Sequence, residues 1–140
     1  IDLKNLTLGY LKKIFSENLP EVSAYIGELN QVWTNIIDNA VYALPNSGEL
    51  TIETSSDGRN ACIKIIDNGP GIRPDIISRI FDPFFTTKGV GNGTGLGLAV
   101  SYGIVQEHAG TIQAFSEDRA GATFRLAFPS ALKLRQRAVS

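Results

Sequence analysis

From Leu29 to Leu44 the apolar residues return at steps of three and four: Leu29, Val32, Trp33, Ile36, Ile37, Ala40 and Leu44. That period makes one stripe along a helix from residue 28 to about residue 43, with its other side polar. Pro45-Asn46-Ser47-Gly48 ends it. A helix with a single stripe must lie on another apolar surface, and the chain supplies strands that alternate. Leu50 and Ile52 oppose Thr51 and Glu53; Ala122, Phe124, Leu126 and Phe128 oppose Thr123 and Arg125. The expected fold class is α/β: a two-layer sandwich whose mixed, mostly antiparallel sheet carries helices on one face and is wetter on the other.

The remaining segments fill out that plan. Residues 3–15 read as a helix, with Leu3, Leu6, Tyr10, Leu11 and Ile14 on one side, ended by Pro20. Residues 22–26 read as a short edge strand. A hairpin turn is expected over residues 56–60, and residues 61–66 form the strand that delivers Asp67. Pro74 can open a short helix through Ile80. Residues 81–95 have no helical or strand period, and a connection of that length is usually functional. A second helix runs from 96 to 108, closed by Gly110, and strands follow at 111–116 and 122–128. The expected organisation is an N-terminal helix in residues 1–19, a core in 20–130 and a basic tail in 131–140.

The 140 residues suit one domain, and 43% hydrophobic content is enough for a core. The net charge of −1 gives no sign of a nucleic-acid partner. No segment approaches the roughly 18 apolar residues of a membrane span, so direct insertion is not expected. Cys62 stands alone, which excludes a disulfide framework and a cysteine metal cluster. A reducing, cytoplasmic setting fits. Starting at Ile1 and lacking methionine, the chain reads as a piece of a longer protein.

Two glycine clusters carry the chemistry. Asp67-Asn68-Gly69-Pro70-Gly71 sets a carboxylate on a sharp turn at a strand end. That carboxylate can cap Gly69 in an Asx turn, or it can accept a hydrogen bond from the exocyclic amine of adenine. Gly91, Gly93, Gly95 and Gly97 alternate straight into a helix, whose free N–H groups and positive dipole end suit phosphate. The ladder is neither a Walker loop nor a dinucleotide fingerprint, because no Gly-Lys pair exists and the third glycine of the fingerprint is missing. Asn35 and Asn39 lie one turn apart on the central helix. Their amides are either solvent-facing or hard oxygen ligands for Mg²⁺. Lys88 can reach a terminal phosphate or stay solvated. His108, the one histidine, fits capping at a helix C-terminus better than a phosphoacceptor role.

In this order the motifs resemble the catalytic ATP-binding domain of bacterial sensor histidine kinases, within the superfamily of gyrase, heat-shock chaperone and mismatch-repair ATPases. Asn35-Ile36-Ile37-Asp38-Asn39-Ala40 is similar to the N box, and Asp67–Gly71 to the first glycine box. Phe81-Asp82-Pro83-Phe84-Phe85-Thr86-Thr87-Lys88 is similar to the F box, and Gly93-Thr94-Gly95-Leu96-Gly97-Leu98 to the second glycine box. The resemblance implies that Asn39 holds Mg²⁺, supported by Asn35, and that Asn35, Asn39 and Lys88 form the catalytic set. It implies that Asp67 reads adenine in a pocket shaped by Gly69 and Gly71 and lined by Ile72 and Ile80. Asp38, Phe81, Thr86, Thr87, Thr94, Leu96 and Leu98 join the ATP-binding set, with residues 82–95 as a lid and Lys88, Gly93, Gly95 and Gly97 on the phosphates. The Phe84–Lys88 and Ser101–Val105 segments look like the nitrogen-regulation type with a short lid.

The hydrolytic branch of the superfamily carries a glutamate base where this chain has Asn35. An amide cannot take that proton, so the resemblance implies transfer rather than hydrolysis. The implied enzyme is a protein histidine kinase of two-component signalling. Its γ-phosphoryl acceptor would be a histidine on a separate dimerisation domain, its downstream partner a response regulator receiver domain, and its location cytoplasmic, within a kinase that can be membrane-associated. The alternatives are a serine kinase of the anti-sigma-factor type and a non-catalytic nucleotide-sensing module.

Overall fold

The computed structural model describes residues 10–14, 22, 24–43, 48–85, 97–116 and 121–130. Its elements run β1 (Tyr10–Ile14), α1 (Ile26–Ala43), β2 (Glu49–Ser56), β3 (Asn60–Asp67), a single 3₁₀ turn (Ile77–Arg79), α2 (Gly97–Glu107), β4 (Thr111–Ser116) and β5 (Ala122–Pro129). The five strands form one sheet in the order β1-β2-β3-β5-β4. Only β1 and β2 are parallel; the β2–β3, β3–β5 and β4–β5 pairs are antiparallel. This is the expected mixed, mostly antiparallel sheet.

The stripe on α1 meets that sheet as the sequence requires. Val32 and Ile36 are fully buried, and so are Leu50, Leu126 and Val105. Trp33 sits edge-on to Phe128, ring centroids 6.0 Å apart. Each such side chain contributes about 1.5–3 kcal/mol on leaving water. On β3 the residues Ile63, Ile65 and Asp67 share the helix-covered face, since side chains alternate along a strand. The carboxylate therefore enters the same layer as the two helices. The β2–β3 turn is closed by Asp57, whose Oδ1 accepts from the amides of Arg59 (2.9 Å) and Asn60 (2.7 Å), with Gly58 at φ +89°.

Two expectations are corrected at the N-terminal end. Residues 10–14 belong to a strand, not to the helix expected over 3–15. Five residues rich in Tyr, Leu and Ile suit a pleated strand as well as a helix, and pairing with β2 decides between them. The sheet thus starts at Tyr10, earlier than the expected core of 20–130; residues 1–9 and 15–20 lie outside the described residues. Nor do residues 22–26 make an edge strand, because α1 already begins at Ile26. The Tyr25 amide is taken instead by His108 Nε2 at 3.1 Å, and the Tyr25 carbonyl accepts from Leu29. The expected helix after Pro74 is only turns and the one 3₁₀ turn.

The end of α2 also differs in detail. The left-handed residue is Ala109 (φ +57°), not Gly110. The Gly110 amide reaches back to the Val105 carbonyl at 2.9 Å, the pattern of a Schellman cap. Gly110 is required by proximity: a Cβ there would lie 2.6 Å from the Ala127 carbonyl oxygen and 2.9 Å from a Phe128 ring carbon. His108 is buried beside this cap, its Nδ1 2.8 Å from the Ile104 carbonyl. Because Nε2 accepts the Tyr25 amide, Nδ1 must carry the proton. The expected capping role holds, and it also fastens the start of α1 to the end of α2.

Adjacent substitutions should therefore act in opposite directions in urea melts. Ala109→Gly should stabilise by about 0.5–1 kcal/mol by relieving the left-handed backbone. Gly110→Ala should destabilise by about 1–3 kcal/mol through overpacking against β5.

Candidate functional site

Asp67 closes β3 at the point where the chain turns away from the sheet. Its Oδ1 accepts two backbone amides, from Gly69 at 2.9 Å and from Ala122 at 3.2 Å. The first is the Asx turn expected from the sequence. The second crosses to the start of β5 and fixes the turn to the sheet. Among the described residues Oδ2 takes no hydrogen bond, so one oxygen of the carboxylate is structural and the other is left unengaged. Burial pushes the Asp67 carboxyl above its ordinary value, and the two amide bonds work against that rise.

The turn is held from a second side. The Ile72 amide donates to Ser116 Oγ at 2.6 Å, and that hydroxyl donates to the Gly121 carbonyl at 3.1 Å. Gly121 has φ +92°, and a Cβ on it would collide with the Asp67 carbonyl oxygen. Asn68 adds a third tie, its Oδ1 accepting from the Glu49 amide at 2.8 Å. Gly69 is buried in its Asx turn, while Gly71 adopts φ +79°, which suits a residue without a Cβ. Ile80 is buried and Ile72 half-buried, both packed on the core. Phe81 meets Phe124 at 6.3 Å and Tyr102 at 5.5 Å between centroids, so it anchors the segment after the 3₁₀ turn.

On α1 the structure separates the two asparagines. Asn35 is half-buried, and its Nδ2 donates to the Gly97 carbonyl at 3.0 Å and to Ser101 Oγ at 3.2 Å. The Asn39 side chain is half-buried and has no hydrogen-bond partner among the described residues; Asp38 is exposed. Gly97 opens α2, and Leu98 packs against the core. Thr86, Thr87, Lys88, Gly93, Thr94, Gly95 and Leu96 lie outside the described residues.

Among the described residues no group of three or more His, Cys, Asp or Glu could hold a metal unaided. Asn39 offers a single neutral oxygen. A hard cation that keeps waters and shares ligand phosphate oxygens, as Mg²⁺ does, fits such a donor; an ion needing an all-protein cage does not.

The family model described as histidine kinase-, DNA gyrase B-, and HSP90-like ATPase matches residues 25–132. The chain belongs to this family. Among curated relatives of this ATPase domain is sensor histidine kinase ZraS of Escherichia coli strain K12, 42% identical over 114 residues, covering 81% of this chain and 24% of ZraS. Signal transduction histidine-protein kinase AtoS of the same organism is 48% identical over 103 residues, 72% of this chain and 16% of AtoS. The chain thus spans about a quarter or less of these relatives. A nucleotide-free catalytic domain of histidine kinase ThkA superposes with a TM-score of 0.77 at 29% identity, covering 91% of this chain and 84% of that one.

The sequence pointed to Asp67 and its glycines but missed Ser101, Ser116, Gly121 and the Ala122 amide. The glycine just before β5 is the one local signal among these; the hydroxyls have none.

For Asp67→Asn the expected outcome is a split between stability and binding. The amide oxygen can keep both backbone bonds, and the burial cost of the charge disappears. A carboxyl whose value is raised on folding favours the folded state at low pH and loses that contribution as pH rises. At neutral pH the variant should therefore melt no lower than wild type. Its NH₂ would face another donor, so adenine-nucleotide affinity should fall by about tenfold or more in calorimetry.

Proposed function

We propose that this chain binds ATP–Mg²⁺ and presents the γ-phosphate to a histidine on a separate dimerisation domain, as the catalytic part of a sensor histidine kinase. The observation that carries this reading is Asn35. It stands where the hydrolytic relatives use a base, and here it is a hydrogen-bond donor to Gly97 and Ser101. An amide at that position cannot take a proton from water as a general base does. The family membership and the sensor-kinase relatives support the same reading, and they do not favour a serine kinase or a non-catalytic sensor.

In this reading Asp67 accepts the adenine amine through Oδ2 while Oδ1 holds the turn rigid. Guanine carries a carbonyl at that place and would be repelled. Gly69, Gly71, Ile72 and Ile80 shape the purine pocket. Asn39 would be the protein ligand of Mg²⁺, which supplies charge neutralisation on the phosphate oxygens. The first amides of α2, from Gly97 onward, face the phosphates with the positive end of the helix dipole. Lys88, Thr86, Thr87, Gly93, Thr94, Gly95 and Leu96 complete the phosphate contacts, with Asp38, Phe81 and Leu98 bordering the site. The acceptor imidazole nitrogen forms the N–P bond as the bond from the γ-phosphorus to its bridging oxygen breaks. The electron pair leaves on ADP, and the imidazole proton passes to solvent. Positioning and charge stabilisation carry the rate.

The proposal extends to a cytoplasmic location, a response regulator receiver domain as the next acceptor, and the short-lid nitrogen-regulation type. Labelled ATP, this chain and a separately made dimerisation domain should yield an acid-labile phosphoprotein, and Asn39→Ala should lower its formation by about 100-fold or more. Acid-stable label would instead indicate a serine acceptor. Undiminished transfer by Asn39→Ala would remove the metal assignment.

A further inference from the structure

Ser101 is fully buried within α2, where a hydroxyl is an unusual choice among Ile104, Val105 and Leu98. It closes a three-membered hydrogen-bonded ring. Ser101 Oγ donates to the Gly97 carbonyl at 2.9 Å, and Asn35 Nδ2 donates to that same carbonyl at 3.0 Å and to Ser101 Oγ at 3.2 Å. The inventory of donors fixes every role. A carbonyl oxygen only accepts, and the single hydroxyl proton is spent on it. The Asn35 group facing both must then be the NH₂, which turns its Oδ1 away from the ring.

The ring joins two helices at a defined level. Gly97 is the first residue of α2, and Asn35 lies one turn before Asn39 on α1. A Cβ on Gly97 would already be in van der Waals contact with Asn35, 3.6–3.7 Å away, so the helices touch there. Back-bonding of a serine to the carbonyl four residues earlier slightly costs a helix. Here it adds a second side-chain donor to the carbonyl that Asn35 holds.

We propose that Ser101 is a positioning residue for the triphosphate: with Asn35 it clamps the first carbonyl of α2 onto α1 and so sets the reach between the α2 N-terminal amides and Asn39. This rests on the nucleotide-binding reading above. The adenine end, built from the end of β3, Ser116 and the start of β5, shares none of these atoms. The clamp therefore governs phosphate recognition and leaves purine recognition alone.

The test is calorimetry on this chain with two probes, adenosine and AMPPNP–Mg²⁺, for wild type, Ser101→Ala, Asn35→Ala, Asn35→Asp and Asn35→Ala/Ser101→Ala. Ser101→Ala should bind adenosine within about twofold of wild type and AMPPNP–Mg²⁺ about tenfold more weakly. Asn35→Asp, which turns a carboxylate toward the Gly97 carbonyl, should lose more of the same increment. The double variant should lose no more than the worse of its parts, as for one unit. Equal losses for both probes, or no loss, would overturn the positioning role, since a residue that only fills the core weakens both alike. Should Ser101→Ala fail to fold by circular dichroism, Ser101→Cys, similar in volume and a weak donor, takes its place with the same expectations. A wild-type chain that binds neither probe overturns the nucleotide-binding reading itself and this inference with it.

Discussion

The site depends on a carboxylate with two unlike oxygens. Asp67 Oδ1 is bonded to Gly69 and to Ala122, which ties the end of β3, its own turn and the start of β5 into one piece. Burying a charge is costly unless hydrogen bonds compensate, and here two backbone amides offset part of that cost. Its other oxygen is thereby held in one orientation, and in the proposed reading little is left to order when a ligand binds. Gly121 is part of the same economy of space, since no side chain fits between its backbone and the Asp67 carbonyl.

A second junction stands at the opposite end of the site. Asn35, Gly97 and Ser101 join α1 to α2, and His108 joins the far end of α2 to the start of α1 through the Tyr25 amide. The two helices are therefore pinned to each other at both ends of α2 by polar contacts, while Val32, Ile36 and Val105 supply the apolar contact. Hydrophobic packing alone tolerates sliding and repacking; directional hydrogen bonds in a buried setting fix one register. A site that, as proposed, presents a phosphate to an incoming group would have reason to use them.

Much of this was legible in the sequence because it is local. The α1 stripe, the alternation of β5 and the Asp57–Gly58 hairpin follow from spacing and turn chemistry alone, and so does the Asx turn at Asp67. What escaped is non-local. The Ser116–Ile72 bond spans 44 residues, the Asp67–Ala122 bond 55 and the Asn35–Ser101 bond 66. Nothing in the neighbourhood of those serines marks their partners. The strand β1 was misread because apolar spacing in so short a segment fits two periods, and only its pairing with β2 selects one. Ala109 in the left-handed region was hidden by the glycine beside it, which is needed for a different reason.

In the proposed reading, purine and phosphate are held by two separate clamps on one rigid frame. Amide NMR titration of this chain tests it most directly, with adenosine added first and AMPPNP–Mg²⁺ in a second series. Adenosine should shift Gly69, Ile72 and Ala122, and the nucleotide should shift these together with Gly97, Leu98 and the Asn39 side chain. Shifts confined to the uncovered sheet face, at Glu53, Arg125 or Gln113, would place the ligand elsewhere and contradict the account.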